Sequence, residues 1–313
     1  MSQQLQILIN QVILFATLIV IGYASEKKGY LKDSDIDALS TLCVKVMIPA
    51  MIISVIVNGG SREALFSAFP VLLGAACLII GLMVIGYISA LILKIPQPTR
   101  NIHTCIIGFS NSGFMGFPML LAMFGDRASI FVAAYIIADA ALLWTLVPIL
   151  ADPSNSKGID FKKLISPNTI AAVLGIVMVI LNIKPTIVPW TAITAVGDSS
   201  KYIAMIYIGA DLGRKGILKL FNRPIVFSII PIKLIIAPII VYLIYSATGV
   251  FDSDFVMMFT VIAMLPCMVA VAMIARNCGS DDEYASAAVL VTTIASILTM
   301  PIITWVIEKL FVR

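Results

Sequence analysis

Residues 109–118 read FSNSGFMGFP and stand inside a long apolar stretch. A membrane-spanning helix satisfies its backbone groups within itself, whereas Gly and Pro weaken or break a helix and free carbonyls and amides. Unwound backbone is tolerated at membrane depth only where protein or a water-filled cavity satisfies it. The segment therefore predicts an interrupted helix beside a cavity.

The composition of the chain is that of a polytopic membrane protein. Of its 313 residues, 60% are hydrophobic and 12% are charged, and the mean hydropathy is +1.06. In soluble domains roughly a quarter of the residues are charged. The five cysteines show no CxxC spacing and His103 is the only histidine, so we expect no metal, disulfide or cofactor. We also expect no nucleic-acid binding, because no basic stripe with interleaved aromatic residues is present.

Ten spans are predicted from the need for about 20 apolar residues per crossing. We expect no separate soluble domain. MSQQLQILIN lacks the basic region of a signal peptide, so we expect it to be retained as part of the first span. The sixth span is short, and GDSSK at 197–201 is expected to interrupt the seventh. The predicted ranges are 6–24, 37–58, 65–93, 101–123, 129–150, 168–183, 190–213, 223–247, 254–275 and 284–309.

The orientation follows from the distribution of Lys and Arg, which accumulate in cytoplasmic loops. Thirteen lie in odd-to-even connections: Lys27, Lys28, Lys32, Lys94, Arg100, Lys157, Lys162, Lys163, Arg214, Lys215, Lys219, Arg223 and Arg276. Four lie in even-to-odd connections: Arg62, Arg127, Lys184 and Lys201. We therefore predict a multi-pass protein of the inner (plasma) membrane with both termini extracytoplasmic. This bias also explains the formal net charge of +4 without an anionic partner.

Two arrangements of ten spans are open: a single run of ten, or five spans duplicated with the second copy inverted. Duplication predicts internal similarity at half the chain length. IPAMII at 48–53 resembles YIAMIY at 202–207, Gly125 matches Gly279, and VPIL at 147–150 resembles MPII at 300–303, all at offsets near 154. We therefore predict a first repeat at 1–150, a cytoplasmic linker at 151–167 and an inverted repeat at 168–313.

The same offset places a second interruption, LPCMVAVA, in the ninth predicted span. Interrupted helices in both halves indicate a transporter binding site near the bilayer midplane. Half-helix N-termini favour an anion there, and freed carbonyls favour a cation or a hydroxyl group. Two alternatives remain open: Asn111 only caps the second half-helix, or the glycines only allow close packing. The substrate-binding candidates are Asn111, Ser112, Gly113, Gly116, Pro118, Pro266, Cys267 and Ala270.

Charged residues within spans are costly and indicate functional sites. Asp139, Lys45 and Lys233 are the candidates for ion or proton coupling. A buried Asp139 can alternate between protonated and ionised forms, or can form a structural hydrogen bond between helices. The two lysines can instead extend to the interface. We expect His103, at the mouth of the fourth span, to be a solvated end residue.

Several stretches resemble the auxin efflux carrier family, whose bacterial members include malate and malonate permeases. The stretches are NSGFMGFP, LSTLCVKVMIPAMI at 39–52, IYIGADLGR at 206–214, and the segment AMLPCMVAVAMIARNCGSDDEYASAAVLVTTIASILTMPI at 263–302.

The resemblance implies an all-α fold of ten helices in two inverted repeats. It further implies that the broken fourth and ninth helices cross between a scaffold and a transport domain. Small organic acids would then move by an elevator-like motion, and a homodimer is possible. The family's site residues fall on Asn111, Pro118 and Pro266. Many relatives carry Asn or Ser after the ninth-helix proline, where this chain has Val269 and Ala270, so recognition there would use backbone groups or a less polar substrate.

Three function classes are distinguishable from the motifs. An enzyme would need a metal-ligand set or an activated nucleophile, and the sequence contains neither HExxH nor GxSxG. A Walker motif is absent too, which excludes a P-loop ATP-driven pump. A passive channel does not require paired broken helices. A sodium symporter similar to the bile-acid carriers is the other alternative, but no side-chain oxygen occurs between Leu265 and Ala275. Proton coupling or uniport of a small organic anion is therefore the preferred prediction.

Overall fold

The structure is a computed structural model that describes residues 3–59, 69–152, 167–183, 185, 188–216 and 223–311. The described residues form helices and short connections, and their sole extended pairing is one bridge between Ser110 and Cys267. The α-helices are α1 (Gln3–Lys27), α2 (Asp33–Leu42), α3 (Ile48–Gly59), α4 (Phe69–Ile92), α5 (Thr99–Gly108), α6 (Phe117–Phe124), α7 (Asp126–Ala151), α8 (Pro167–Ile180), α9 (Val188–Lys215), α10 (Ala237–Thr248), α11 (Ser253–Met264), α12 (Val269–Asn277) and α13 (Asp282–Phe311).

Apolar length is the main determinant of these helices. Six helical stretches of the described chain are long and apolar enough to cross a membrane: Leu5–Lys27, Asp33–Asn58, Phe69–Ile92, Asp126–Ala151, Pro224–Thr248 and Asp282–Lys309. Three shorter apolar helices are Ser112–Phe124, Ile170–Ile180 and Ser253–Met264. The described part of the chain is thus all-helical, with several helices long and apolar enough to cross a membrane, as expected of a multi-pass membrane protein. Residues 153–166 of the predicted linker lie outside the described residues.

The interruption expected at GDSSK is wrong, because α9 runs through it without a break. A side chain on Gly197 would come within 2.7 Å of the backbone of Met51, so this glycine allows α9 to approach α3. The Ser199 hydroxyl donates to the carbonyl of Ala195, four residues earlier in the same helix. Small and hydroxylated residues serve helix packing in membranes and do not by themselves end a helix.

Close packing also joins α1 to α9. A side chain on Gly22 would overlap the carbonyl oxygen of Ile206, and one on Gly209 would overlap that of Ile19. Gly213 lies against the side chain of Glu26. Gly209 and Gly213 of α9 therefore pack against a helix of the same chain.

Three segments of the described chain have π-helical backbone: Cys43–Met47, Ser112–Gly116 and Ile230–Ile236. They connect α2 to α3, begin the second half of the first broken helix, and precede α10. π-Helical segments are rare in proteins, and those that do occur are often found at functional sites. Each of the three contains at least one residue that the sequence singles out as a candidate.

Candidate functional site: the paired helix breaks

The first break separates α5 from α6. Helix α5 ends at Gly108, Phe109 is extended, and a π-helical turn starts at Ser112. The carbonyl of Asn111 accepts the amides of Met115 and Gly116, both at 3.2 Å, so Asn111 occupies the N-cap position. Its side chain makes no capping hydrogen bond. The side-chain nitrogen Nδ2 of Asn111 is therefore available for another partner.

The second break separates α11, which ends at Met264, from α12, which begins at Val269. The two breaks pair with each other. The backbone amide of Asn111 donates to the carbonyl of Pro266 at 2.8 Å, and the backbone amide of Met268 donates to the carbonyl of Phe109 at 3.1 Å. The Cys267 amide donates to the Thr292 hydroxyl on α13 at 3.0 Å. Backbone groups that Gly and Pro free inside the membrane are thus satisfied within the protein.

A cavity of about 170 Å³ lies beside the paired breaks. Its side-chain hydrogen-bonding groups include those of Asn111, Ser112, Asp139 and Asn168, and its remaining lining is largely apolar. Asp139, on α7, is the charged residue among the described residues that line it. Concave sites with a few polar groups on apolar walls are typical of small-molecule binding.

Three polar atoms of this lining are buried without a hydrogen-bond partner in the described part of the chain. They are Asn111 Nδ2, Asp139 Oδ1 and Asn168 Oδ1. Each unpaired buried group costs about 1–3 kcal/mol, so such groups are rare and require an explanation. Their concentration around one cavity indicates that something else pairs with them, such as water, a proton or a ligand.

Two helix starts also reach the cavity. The π-helical turn begins at Ser112 and contributes Gly113 to the lining, and α12 begins at Val269 and contributes Val269 and Ala270. The first amides of a helix have no partner within it and carry the positive end of its dipole. Together with the side-chain Nδ2 of Asn111, these two helix starts are hydrogen-bond donors that suit an anion.

The "Membrane transport protein" family matches the chain over residues 7–159 and 157–304. The chain belongs to this family. The resemblance to the auxin efflux carriers that the sequence motifs carry is thereby confirmed. Membership makes the chain a membrane transport protein.

Curated relatives are transporters as well. A "Putative malonate transporter" of Rhizobium meliloti is 23% identical over 295 residues, which cover 91% of each chain. An uncharacterized transporter of Methanothermobacter thermautotrophicus is 22% identical over 91% of this chain and 93% of its own. Another, from Methanocaldococcus jannaschii, is 24% identical over 66% of this chain and 69% of its own.

Five of the predicted site residues of this transporter line the cavity: Asn111, Ser112, Gly113, Asp139 and Ala270. Asn168, at the start of α8, lines it as well and was missed, because a single Asn after Pro167 gives no motif. Its signal was weak: it is a polar residue at the start of an apolar span.

Four other candidates shape the breaks and are not among the lining residues. A side chain on Gly116 would come within 2.7 Å of the Leu265 side chain, so this glycine permits the two breaks to approach. Pro118 lies in the first turn of α6. Pro266 and Cys267 contribute backbone groups to the pairing.

The two intramembrane lysines differ. Lys45 is exposed at the outside of the described chain. Lys233 is fully buried, and its ammonium donates to the carbonyl of Ile107 at 2.9 Å and to the Ser110 hydroxyl at 2.7 Å. Lys233 thus does not extend to the interface but binds the end of α5 at the first break.

The expectation of a solvated His103 is wrong. His103 is fully buried: its Nδ1 lies 2.6 Å from the Tyr284 hydroxyl and its Nε2 lies 2.9 Å from the Ser89 hydroxyl. Its position near a span end suggested solvent, whereas α13 and α4 cover it. Both ring nitrogens have partners, so the imidazole is an internal link between three helices.

Proposed function

We propose that the chain is a secondary carrier that moves small organic anions, carboxylates in particular, by alternating access at the paired breaks. The observation that carries this proposal is the composition of the cavity. Its lining includes the unpaired side-chain Nδ2 of Asn111, two helix starts and the carboxyl group of Asp139. Its size suits a ligand of a few heavy atoms, since sites for drug-sized ligands are about 300–1,000 Å³. The name of the Rhizobium relative supports a small dicarboxylate such as malonate.

The proposed architecture has ten spans in two inverted five-helix repeats, 1–150 and 168–313, joined by the linker 151–167. Backbone geometry supports the repeat. Gly125 (φ +57°) and Gly279 (φ +69°) both adopt the conformation that favours glycine, 154 positions apart, and each follows the second half of a broken helix. The distribution of Lys and Arg supports extracytoplasmic termini in the plasma membrane.

The cavity walls support a relative motion of two helix groups. The cavity lining includes Val44, Ile48 and Ile52 of the second predicted span, together with residues of the breaks and of α7. A binding site between two helix groups can open to either side of the membrane when one group moves against the other. We propose that the paired breaks carry the substrate in an elevator-like motion past the second span.

Proton coupling through Asp139 follows from the charge balance of the cavity. A carboxylate near an anionic substrate is repulsive, by about 3–4 kcal/mol at 4–5 Å and an effective dielectric constant of 20. No Lys, Arg or His is among the described lining residues, and the nearest titratable side chain on α7 is Tyr135, one turn earlier. A proton on Asp139 removes the repulsion, so the anion and one proton bind together.

Uptake into proteoliposomes tests this proposal. The purified protein is reconstituted, and saturable uptake of mono- and dicarboxylates and indole acids is measured at two pH values, in sodium and in choline buffer. We expect uptake of one acid class that is faster with an inward proton gradient and equal in the two buffers. Linear, non-saturable flux would indicate a channel. Absence of uptake across the panel by folded protein would reject the organic-anion assignment.

Asp139→Asn separates the proton from the anion. The variant keeps the hydrogen-bonding shape without a titratable group, so we expect exchange of internal for external substrate to continue while acceleration by the proton gradient is lost. Asp126→Asn, at the exposed start of the same helix, is the control and should keep the gradient response. An unchanged pH profile in Asp139→Asn would remove this residue from the coupling.

A further inference from the structure

Lys233 is a buried lysine whose ammonium group has no carboxylate partner in the described chain. Its side chain is fully buried, and no Asp or Glu of the described residues lies within ion-pair distance. A buried charge is costly unless it is paired and hydrogen-bonded. Its stabilisation must therefore come from the two oxygens it contacts and from the helix end beside them.

Those oxygens belong to the first break. The Ile107 carbonyl lies in the last turn of α5, where carbonyls have no partner within the helix and form the negative end of its dipole. Ser110 supplies a hydroxyl, and its backbone forms the bridge to Cys267 of the second break. A carbonyl and a hydroxyl at an unwound helix end are the kind of oxygen ligands that bind alkali cations in carriers with broken helices.

We propose that the Lys233 ammonium acts as a resident monovalent cation, filling at the break the position that a coupling metal cation would occupy. The carrier then keeps a fixed positive charge on the moving helix pair and requires no external sodium or potassium. The π-helical segment Ile230–Ile236 holds this lysine against the break. This inference rests on the proposed carrier function, but its physical content is a cation site that is measurable without transport.

Chemical rescue of a truncated lysine is the direct test. In Lys233→Ala the aminopropyl group beyond Cβ is missing, and a small primary ammonium ion can take its place beside Ile107 and Ser110. We expect the detergent-purified variant to melt below the wild type and to be stabilised, saturably, by ethylammonium or by sodium. At ten times its dissociation constant the rescuing cation should raise the melting temperature by about 2 °C. The wild type should show no such gain, since its own ammonium occupies the position.

Lys45→Ala is the matched control, because Lys45 also lies in a π-helical segment of a predicted span but is exposed. It should show no cation-dependent gain in melting temperature. Lys233→Met keeps the volume of the stem and serves as the second variant if Lys233→Ala does not fold. It should fold, bind no cation, and lose uptake.

The outcomes are distinguishable from those of the transport assay. Stabilisation of Lys233→Ala by ethylammonium or sodium supports the resident cation, even if the wild type transports no acid of the panel. A wild type whose melting temperature or uptake depends on sodium would overturn the proposal. So would a Lys233→Met variant with undiminished uptake, or a folded Lys233→Ala that responds to no cation.

Discussion

Replacing Asn111 with Ala has two effects that differ in sign. In the structure the side-chain Nδ2 of Asn111 is buried, 2% of the residue is exposed, and the donor has no partner. If it donates to a substrate carboxylate, its removal costs a hydrogen bond to a charged group, about 1.5–3 kcal/mol. Since about 1.4 kcal/mol is a factor of ten, the dissociation constant of the organic anion should rise about 10- to 150-fold.

Stability should respond in the opposite way. Because the Asn111 side chain makes no capping hydrogen bond, its truncation removes an unsatisfied buried donor from the empty protein. The unliganded variant should therefore be as stable as the wild type, or more stable by up to about 1 kcal/mol. A side chain that caps the half-helix would instead lose about 1 kcal/mol of stability on replacement by Ala.

The assay is thermal unfolding of the detergent-purified variant with and without the acid that binds the wild type, supported by titration calorimetry. Asn168→Ala is the comparison within the same cavity, since its unpaired atom is an acceptor, Oδ1, which gains nothing from an anion. Its effect on affinity should be below about threefold. An Asn111→Ala variant that melts lower and binds the acid normally would refute the binding role and assign Asn111 to the helix cap.

Two further predictions concern the packing around the site. Gly209→Ala should lower the free energy of unfolding by about 1–3 kcal/mol, because the added methyl group overlaps the carbonyl of Ile19. Gly81→Ala is the control, because a methyl group there meets nothing within 4 Å in the described chain, and its melting temperature should be unchanged or higher. Equal melting temperatures of Gly209→Ala and Gly81→Ala would disprove the close contact at Gly209. Tyr284→Phe removes the hydroxyl next to His103 Nδ1 and should cost about 1–3 kcal/mol of stability in the same assay, whereas an unchanged melt would mean that the contact is not formed.

Features of the fold that depend on local sequence could be predicted. Apolar length set the helices closely: the predicted range 129–150 lies within Asp126–Ala151, and 284–309 lies within Asp282–Phe311. Gly, Pro and Asn located the first break, and the repeat offset located the second. The predicted interruption at GDSSK is wrong, because Gly197 serves the close approach to the backbone of Met51, which lies far away in the sequence.

Features of the site that depend on distant partners were only partly predictable. Asp139 was identified because a charge in an apolar span is conspicuous, and it does line the cavity. His103 was assigned to solvent because its partner Tyr284 is 181 positions away. The contact of Lys233 with Ile107 was equally out of reach, since a span pattern does not show which helix end a lysine faces. Pairing between distant side chains is a tertiary property that one sequence encodes without displaying.

The two breaks are joined by main-chain atoms, through the amides of Asn111 and Met268 and the carbonyls of Pro266 and Phe109. Hydrogen bonds between backbone atoms do not require particular side chains beside them. Val269 and Ala270 contribute no group to these two hydrogen bonds, so polar residues can replace them without breaking the pairing. Position 270 lines the cavity without taking part in the pairing, so its side chain can change while the two breaks stay joined.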